Sequence, residues 1–174
     1  MPLRSIVIFA MTTGSLTIAC ESQPSPVVRA AGEQRTACDG SARPEREDEL
    51  LQGTTILKIE PVMGHIFDAM HAVEQQVIGA KLLVRPPVGL TADQMTRILQ
   101  CHRSRVRLGE ENAAAVADAP YLLPDAWIDI EVRSEDGNFA IVLSSDTVRL
   151  NLELLGRAKH YAHDHMVAIQ PTIR

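Results

Sequence analysis

Aromatic side chains are nearly missing from this sequence: three Phe, two Tyr and one Trp make up 3% of 174 residues. The core must therefore be packed from Leu, Val, Ile and Ala, within an apolar fraction of 45%. Positive charge is not in excess either, with 17 Lys and Arg against 22 Asp and Glu and a formal net charge of −5. Nucleic-acid binding leaves a basic footprint, so that class is set aside. No GxSxG elbow and no HExxH helix is present, and no pair of carboxylates stands out as an acid/base couple, so no catalytic signature marks the chain as an enzyme. There is no internal repeat. The length suits one domain able to bury a core without staples.

What is present begins at the N-terminus. Residues 1–19 carry one charge, Arg4, followed by the uncharged run IVIFAMTTGSLTIA up to Cys20. This is the n-region and h-region of an export signal, too short and too Thr-rich for a stable membrane span. Leu16–Cys20, LTIAC, resembles a bacterial lipobox, with Leu16 one place further from the cysteine than is usual. The resemblance covers only these first residues and implies lipidation of Cys20, a membrane partner reached through the N-terminal lipid, and, with Glu21 following, sorting to the outer membrane on the periplasmic face. Ordinary signal cleavage near Ala19 or Ala30, giving a soluble periplasmic protein, is the alternative. Removing residues 1–19 deletes the Arg4 charge and takes −5 to −6.

Beyond the signal, Glu21–Leu51 mixes proline, glycine, serine and charge without a sustained apolar period, and reads as a flexible tether over residues 20–52. Thr54–Glu60, TTILKIE, is a β-branched strand closed by Pro61. Ile66, Met70, Val73 and Val77 have helical spacing, which suggests a helix over 64–77; Gly64 and the run VIGAKLLV keep a hairpin open as the competing reading. Lys81–Arg85 is a short strand stopped by Pro86-Pro87. Thr91 and Gln94 form a capping box, so a helix begins at Ala92 with Met95, Ile98, Leu99, His102 and Val106 on its apolar stripe. The stretch Gly109–Asp125 is long for a compact domain and is a candidate lid or partner surface. AWIDIEVR and NFAIVLSS, joined by Ser134–Gly137, alternate as a β-hairpin. Asp146 caps a last helix with one stripe of Val148, Leu152, Leu155 and Ala162 and another of Leu150, Leu154 and Tyr161.

This order predicts an α+β fold, a small mixed or antiparallel sheet with helices packed on one face as a two-layer sandwich, over residues 53–166, with a tail at 167–174.

Soft metal-ligand types recur. Cys101 and His102 could supply thiolate and imidazole to copper or zinc, although adjacent helical residues diverge by about 100° and cannot clamp one ion alone. The bland reading is a buried histidine bonded to a backbone carbonyl beside a small buried cysteine. Haem attachment lacks its first cysteine, since position 98 is Ile. Met63, His65, Met70 and His71 form a second group, better explained by a solvated face. His160, His163 and His165 form a third, which could share an ion or simply complement a helix C-terminus. No disulfide is expected, with Cys101 reduced and buried and Cys38 in the tether. Two functions fit: a non-enzymatic, membrane-tethered envelope protein that binds another envelope protein, or a periplasmic copper or zinc binder using Cys101/His102 or the C-terminal histidines.

Overall fold

A computed structural model describes residues 24–38, 54–67, 73–112, 118–123 and 125–166. Among these the chain forms α1 (Pro26–Cys38), β1 (Ile56–Phe67), β2 (Val73–Val84), α2 (Ala92–Arg107), β3 (Asp129–Glu135), β4 (Asn138–Ser144) and α3 (Val148–Met166). The strands make one antiparallel sheet in the order β1-β2-β4-β3, with α3 against β1, β2 and β4 and α2 against β3. The α+β class expected from the sequence is the one observed.

Register explains the core. Leu82 lies opposite Ile141, Val84 opposite Phe139, and Ala80 opposite Leu143. Ile130 lies opposite Leu143 and Val132 opposite Ile141, so one row of side chains from each strand shares a face. All of these are buried, and Met95, Leu99, Leu154, Ala158 and Ala162 from the helices pack onto them. The opposite face carries the alternate residues. There Lys81 reaches Glu60 at 3.1 Å and Glu135 at 2.9 Å, a charged seam from β1 to β3. Lys58 and Lys81 hold the Glu60 carboxyl below its ordinary range, and Glu135 and Glu60 raise Lys81.

The expected helix over 64–77 is replaced by a long β1–β2 hairpin. Both Ile66 to Met70 and Val73 to Val77 are separated by four, which satisfies a period of two as well as a period of 3.6. Valine and isoleucine settle the choice toward strand. Gly64 fits that choice too, since a Cβ there would come within 2.6 Å of the Ile78 side chain across the hairpin. Within this hairpin only Gly79–Val84 pairs with β4, so Met63–Phe67 and Val73–Val77 continue past the sheet as a two-stranded ribbon.

Gly79 marks the point where the ribbon enters the sheet. A Cβ on it would lie 2.4 Å from the carbonyl oxygen of Leu143 on β4. Backbone cannot yield as a side-chain tip can, so Gly79→Ala should destabilise the domain by roughly 1–3 kcal/mol through forced strand separation. Urea denaturation checks this, and an unchanged midpoint would show that β4 shifts freely.

The β3–β4 turn is tighter than the sequence suggested. Glu135 pairs with Asn138, leaving Asp136 (φ 49°) and Gly137 (φ 77°) as a two-residue turn with both central residues at positive φ, the arrangement whose twist matches a hairpin. The capping box at α2 forms as expected, with Gln94 N–H donating to Thr91 Oγ1 and Thr91 N–H to the Gln94 side chain. At α3 the cap is Thr147, whose Oγ1 accepts from Leu150 N–H at 3.4 Å, rather than the Asp146 expected.

The outer edge of β3 is not left bare. Val132 N–H donates to Thr96 Oγ1 at 2.9 Å, and Gln100 Nε2 donates to the Ile130 carbonyl at 2.9 Å. Two residues one turn apart on α2 thus substitute for a fifth strand. No strand pairs the outer edge of β1 among the described residues.

Part of the expected tether is helix. Pro26 occupies the first helical position, where its missing N–H is no loss, and Ser25 Oγ accepts from Val28 N–H at 3.3 Å. The apolar period of this segment is weak because only Ala31 and Cys38 are buried. They face α2 in a packed helix pair.

Candidate functional site

The second half of α2 is covered on every side, and its polar residues go under with it. Cys101, His102, Arg103 and Ser104 are all buried. The sheet accounts for the apolar stripe, α1 covers a second side, and Tyr121, Ala126 and Trp127 cover a third. For residues 119–123 that cover replaces the expected lid or partner surface over Gly109–Asp125, of which 113–117 and 124 lie outside the described residues. Ala119, Tyr121, Leu122 and Leu123 belong to the core, because three bulky apolar side chains in a row have more to gain inside than on a mobile surface.

His102, 2% exposed, has both ring nitrogens engaged. Tyr121 Oη lies 3.1 Å from Nδ1, and Glu111 Oε2 lies 3.2 Å from Nε2; Glu111 in turn pairs with Arg105. A carboxylate only accepts, so in the neutral ring Nε2 carries the proton and Nδ1 accepts from the tyrosine hydroxyl. The partners are side chains rather than the backbone carbonyl expected. A histidine held this way has no lone pair to offer an ion, and the arrangement orders the core.

Cys101 is not a thiol. It forms a disulfide with Cys38, 63 residues away in sequence, with Cα atoms 5.9 Å apart. The expectation of a reduced Cys101 is therefore overturned, because α1 brings Cys38 to the side of α2 that the sheet does not cover. The proposed thiolate and imidazole pair for copper or zinc falls with it. His160 and His163 lie exposed on α3; His165 is within that helix, outside the described side chains. Among the described residues no group of three or more His, Cys, Asp or Glu is placed to hold an ion. His65 is exposed on β1, while Met70, His71 and the lipidation candidate Cys20 lie outside the described residues.

The two apolar stripes of α3 resolve unequally. Asn151, Leu154, Ala158 and Ala162 face the sheet, Leu150, Leu155 and Tyr161 pack at its margins, and Leu152 is 53% exposed. Asn151 ties the helix to the end of β4 by accepting from Ser145 N–H at 2.8 Å. Burial, with Asp118 nearby, pushes the Tyr161 phenol up. Most of the described apolar side chains of this helix are therefore covered within the domain.

Sequence reasoning missed a basic site. Arg103 stacks on the single tryptophan, its guanidinium carbon 3.6 Å from the Trp127 ring centroid. Burial lowers Arg103 to about 10, with Asp129 opposing that shift and Arg107 adding to it. Arg107, one turn on, donates Nη2 to the Ala126 carbonyl at 3.4 Å and is also lowered by burial, with Asp125 opposing and Arg157 adding. Both arginines read as ordinary helix polar positions in the sequence.

Comparison with family models, curated proteins and solved structures finds no match to this chain.

Proposed function

We propose that this chain is an exported bacterial envelope lipoprotein, held to the membrane through Cys20, whose α+β domain is a non-enzymatic binding module. The observation that carries this reading is the Cys38–Cys101 disulfide. Disulfides persist in oxidising compartments and are rare where glutathione and thioredoxin keep thiols reduced. A bridged pair downstream of an apolar N-terminal stretch fits passage to the periplasmic side. The tethering geometry follows from the same bond. It fastens α1, the first described element, to the middle of the domain, so that only the residues between Cys20 and α1 separate an anchor from a folded body.

The binding role rests on what the domain offers. His102 is committed to packing, and charged side chains on the described surface pair with one another, as Lys81 does with Glu60 and Glu135.

Expression in a Gram-negative host tests the anchor. The mature wild-type protein is expected in the membrane fraction with a mass increment of diacylglycerol and acyl chain, and Cys20→Ser in the soluble periplasmic fraction. Retention of Cys20→Ser in the membrane, together with a wild-type mass lacking lipid, would overturn it.

A further inference from the structure

We infer that the outer edge of β1 is an interface for a second copy of this chain, the two β1 strands pairing antiparallel about a two-fold axis at Ile59. This goes beyond the binding-module reading and does not rest on the lipid anchor.

The direction of the backbone groups comes first. Arg85 N–H donates to the Thr55 carbonyl at 3.0 Å, so at this end of the hairpin the two residues turn their polar groups toward each other. Along an antiparallel strand such groups point alternately to the two sides. Leu83 and Lys81 therefore face β1, and their partners Lys58 and Glu60 face back. Ile59, opposite Leu82, and Pro61, opposite Ala80, turn theirs outward. Pro61 thus sits as a proline in a sheet must, with its missing donor on the open side. No strand among the described residues takes up these outward groups, whereas Thr96 and Gln100 close the other margin of the sheet.

The pleat restricts the register. A two-fold axis perpendicular to the sheet keeps both α3 helices on one face, and side chains directly opposite must then point to the same face, which places the axis on a residue and not between two. Centred on Lys58 or on Glu60, it sets like charges opposite one another, which is destabilising. Centred on Ile59, it sets each Lys58 opposite Glu60 of the second copy. Lys58 already bonds its own Glu60 at 2.5 Å, and an ammonium carries three donors, so both carboxylates are within its capacity. A ring of alternating charges results. On the helix-bearing face the two Ile59 side chains, each half-buried at the margin of the core, cover one another. Ile59 of the two copies supplies both central hydrogen bonds, so Pro61 confines the pairing to the neighbourhood of the axis without preventing it. A foreign strand would have to bring this order of charge, and a second copy always does.

The symmetry supplies the test. Purified full-length protein carrying Cys20→Ser, which removes association through lipid or through that thiol, is followed by sedimentation velocity over a range of concentrations. A monomer–dimer equilibrium is expected. Lys58→Glu and Glu60→Lys each set like charges opposite across the axis and should weaken self-association at least tenfold. An equimolar mixture of these two variants should recover a one-to-one dimer, because every opposed pair is then of opposite sign, a rescue that damage to the fold would not produce. Glu60→Lys also puts a positive charge beside Lys81. If it fails to fold by circular dichroism, carbodiimide coupling of mixed light and isotopically heavy Cys20→Ser protein replaces the mixing, and mass spectrometry should find Lys58 of one copy joined to Glu60 of another. A protein that stays monomeric throughout, self-association that both charge variants leave at full strength, a mixture that does not associate, or absence of that cross-link would each overturn the interface. Membrane retention or release of Cys20→Ser bears on the anchor alone, so the two readings fail separately.

Discussion

Cys38→Ser should lower the unfolding free energy by roughly 2–4 kcal/mol and release α1 from the domain. In the chain-entropy account, closing the 63-residue separation between Cys38 and Cys101 is worth roughly 4 kcal/mol. The observed loss should fall short of that, because a denatured chain is already more compact than the model assumes. Both cysteines are buried, and α1 has only Ala31 and Cys38 as buried residues to hold it on α2. A lone helix of about 12–15 residues or fewer is marginal in water, so α1 freed from the bond should also lose its helical structure. Urea titration with and without reductant measures the first effect. Trypsin measures the second, since Arg29 and Arg35 lie within α1 and should become fast sites in the variant. Two free thiols in unreduced, denatured wild-type protein would mean that the bond does not form at all.

Leu154→Ala should be as damaging, at roughly 2–5 kcal/mol, because this side chain is completely buried between α3 and the sheet and its removal leaves a cavity. Leu152→Ala, two residues away and mostly exposed, should stay within about 0.5 kcal/mol. The contrast is the informative quantity. From the sequence both leucines belong to apolar stripes of similar weight, and only packing separates them. Equal losses in denaturant titrations of the two variants would mean that Leu152 is covered in solution, as in a helix shared with a second protein.

How far the sequence can be read follows from the range of the interactions involved. The Thr91–Gln94 capping box, the stripe from Met95 to Val106 and the alternation of Asp129–Ser144 are local, and each appears where its spacing puts it. The segment 64–77 was ambiguous because spacings of four serve both periods, and the partner that decides it, β2 against β1, is itself part of the question. The disulfide is not legible in the sequence for a related reason. Pro, Gly and Ser near Cys38 describe a chain that cannot fold alone, and α1 does not need to, since α2 supplies the other half of its contact. The Arg103–Trp127 stack joins residues 24 apart through a stretch with no period at all, so nothing in the spacing of either could announce it.

The hydrogen bonds from Thr96 and Gln100 to the margin of β3 also govern how copies of this domain can associate. A sheet with two bare margins is a monomer in the polymer chemist's sense: it has two reactive ends and can grow indefinitely. Here α2 has spent one end on its own side chains, leaving β1, where Pro61 withholds one donor, as the remaining end among the described residues. A molecule with a single functional end is a chain stopper. Strand addition through β1 can join one copy to another about a two-fold axis, and growth terminates there instead of extending into a fibre.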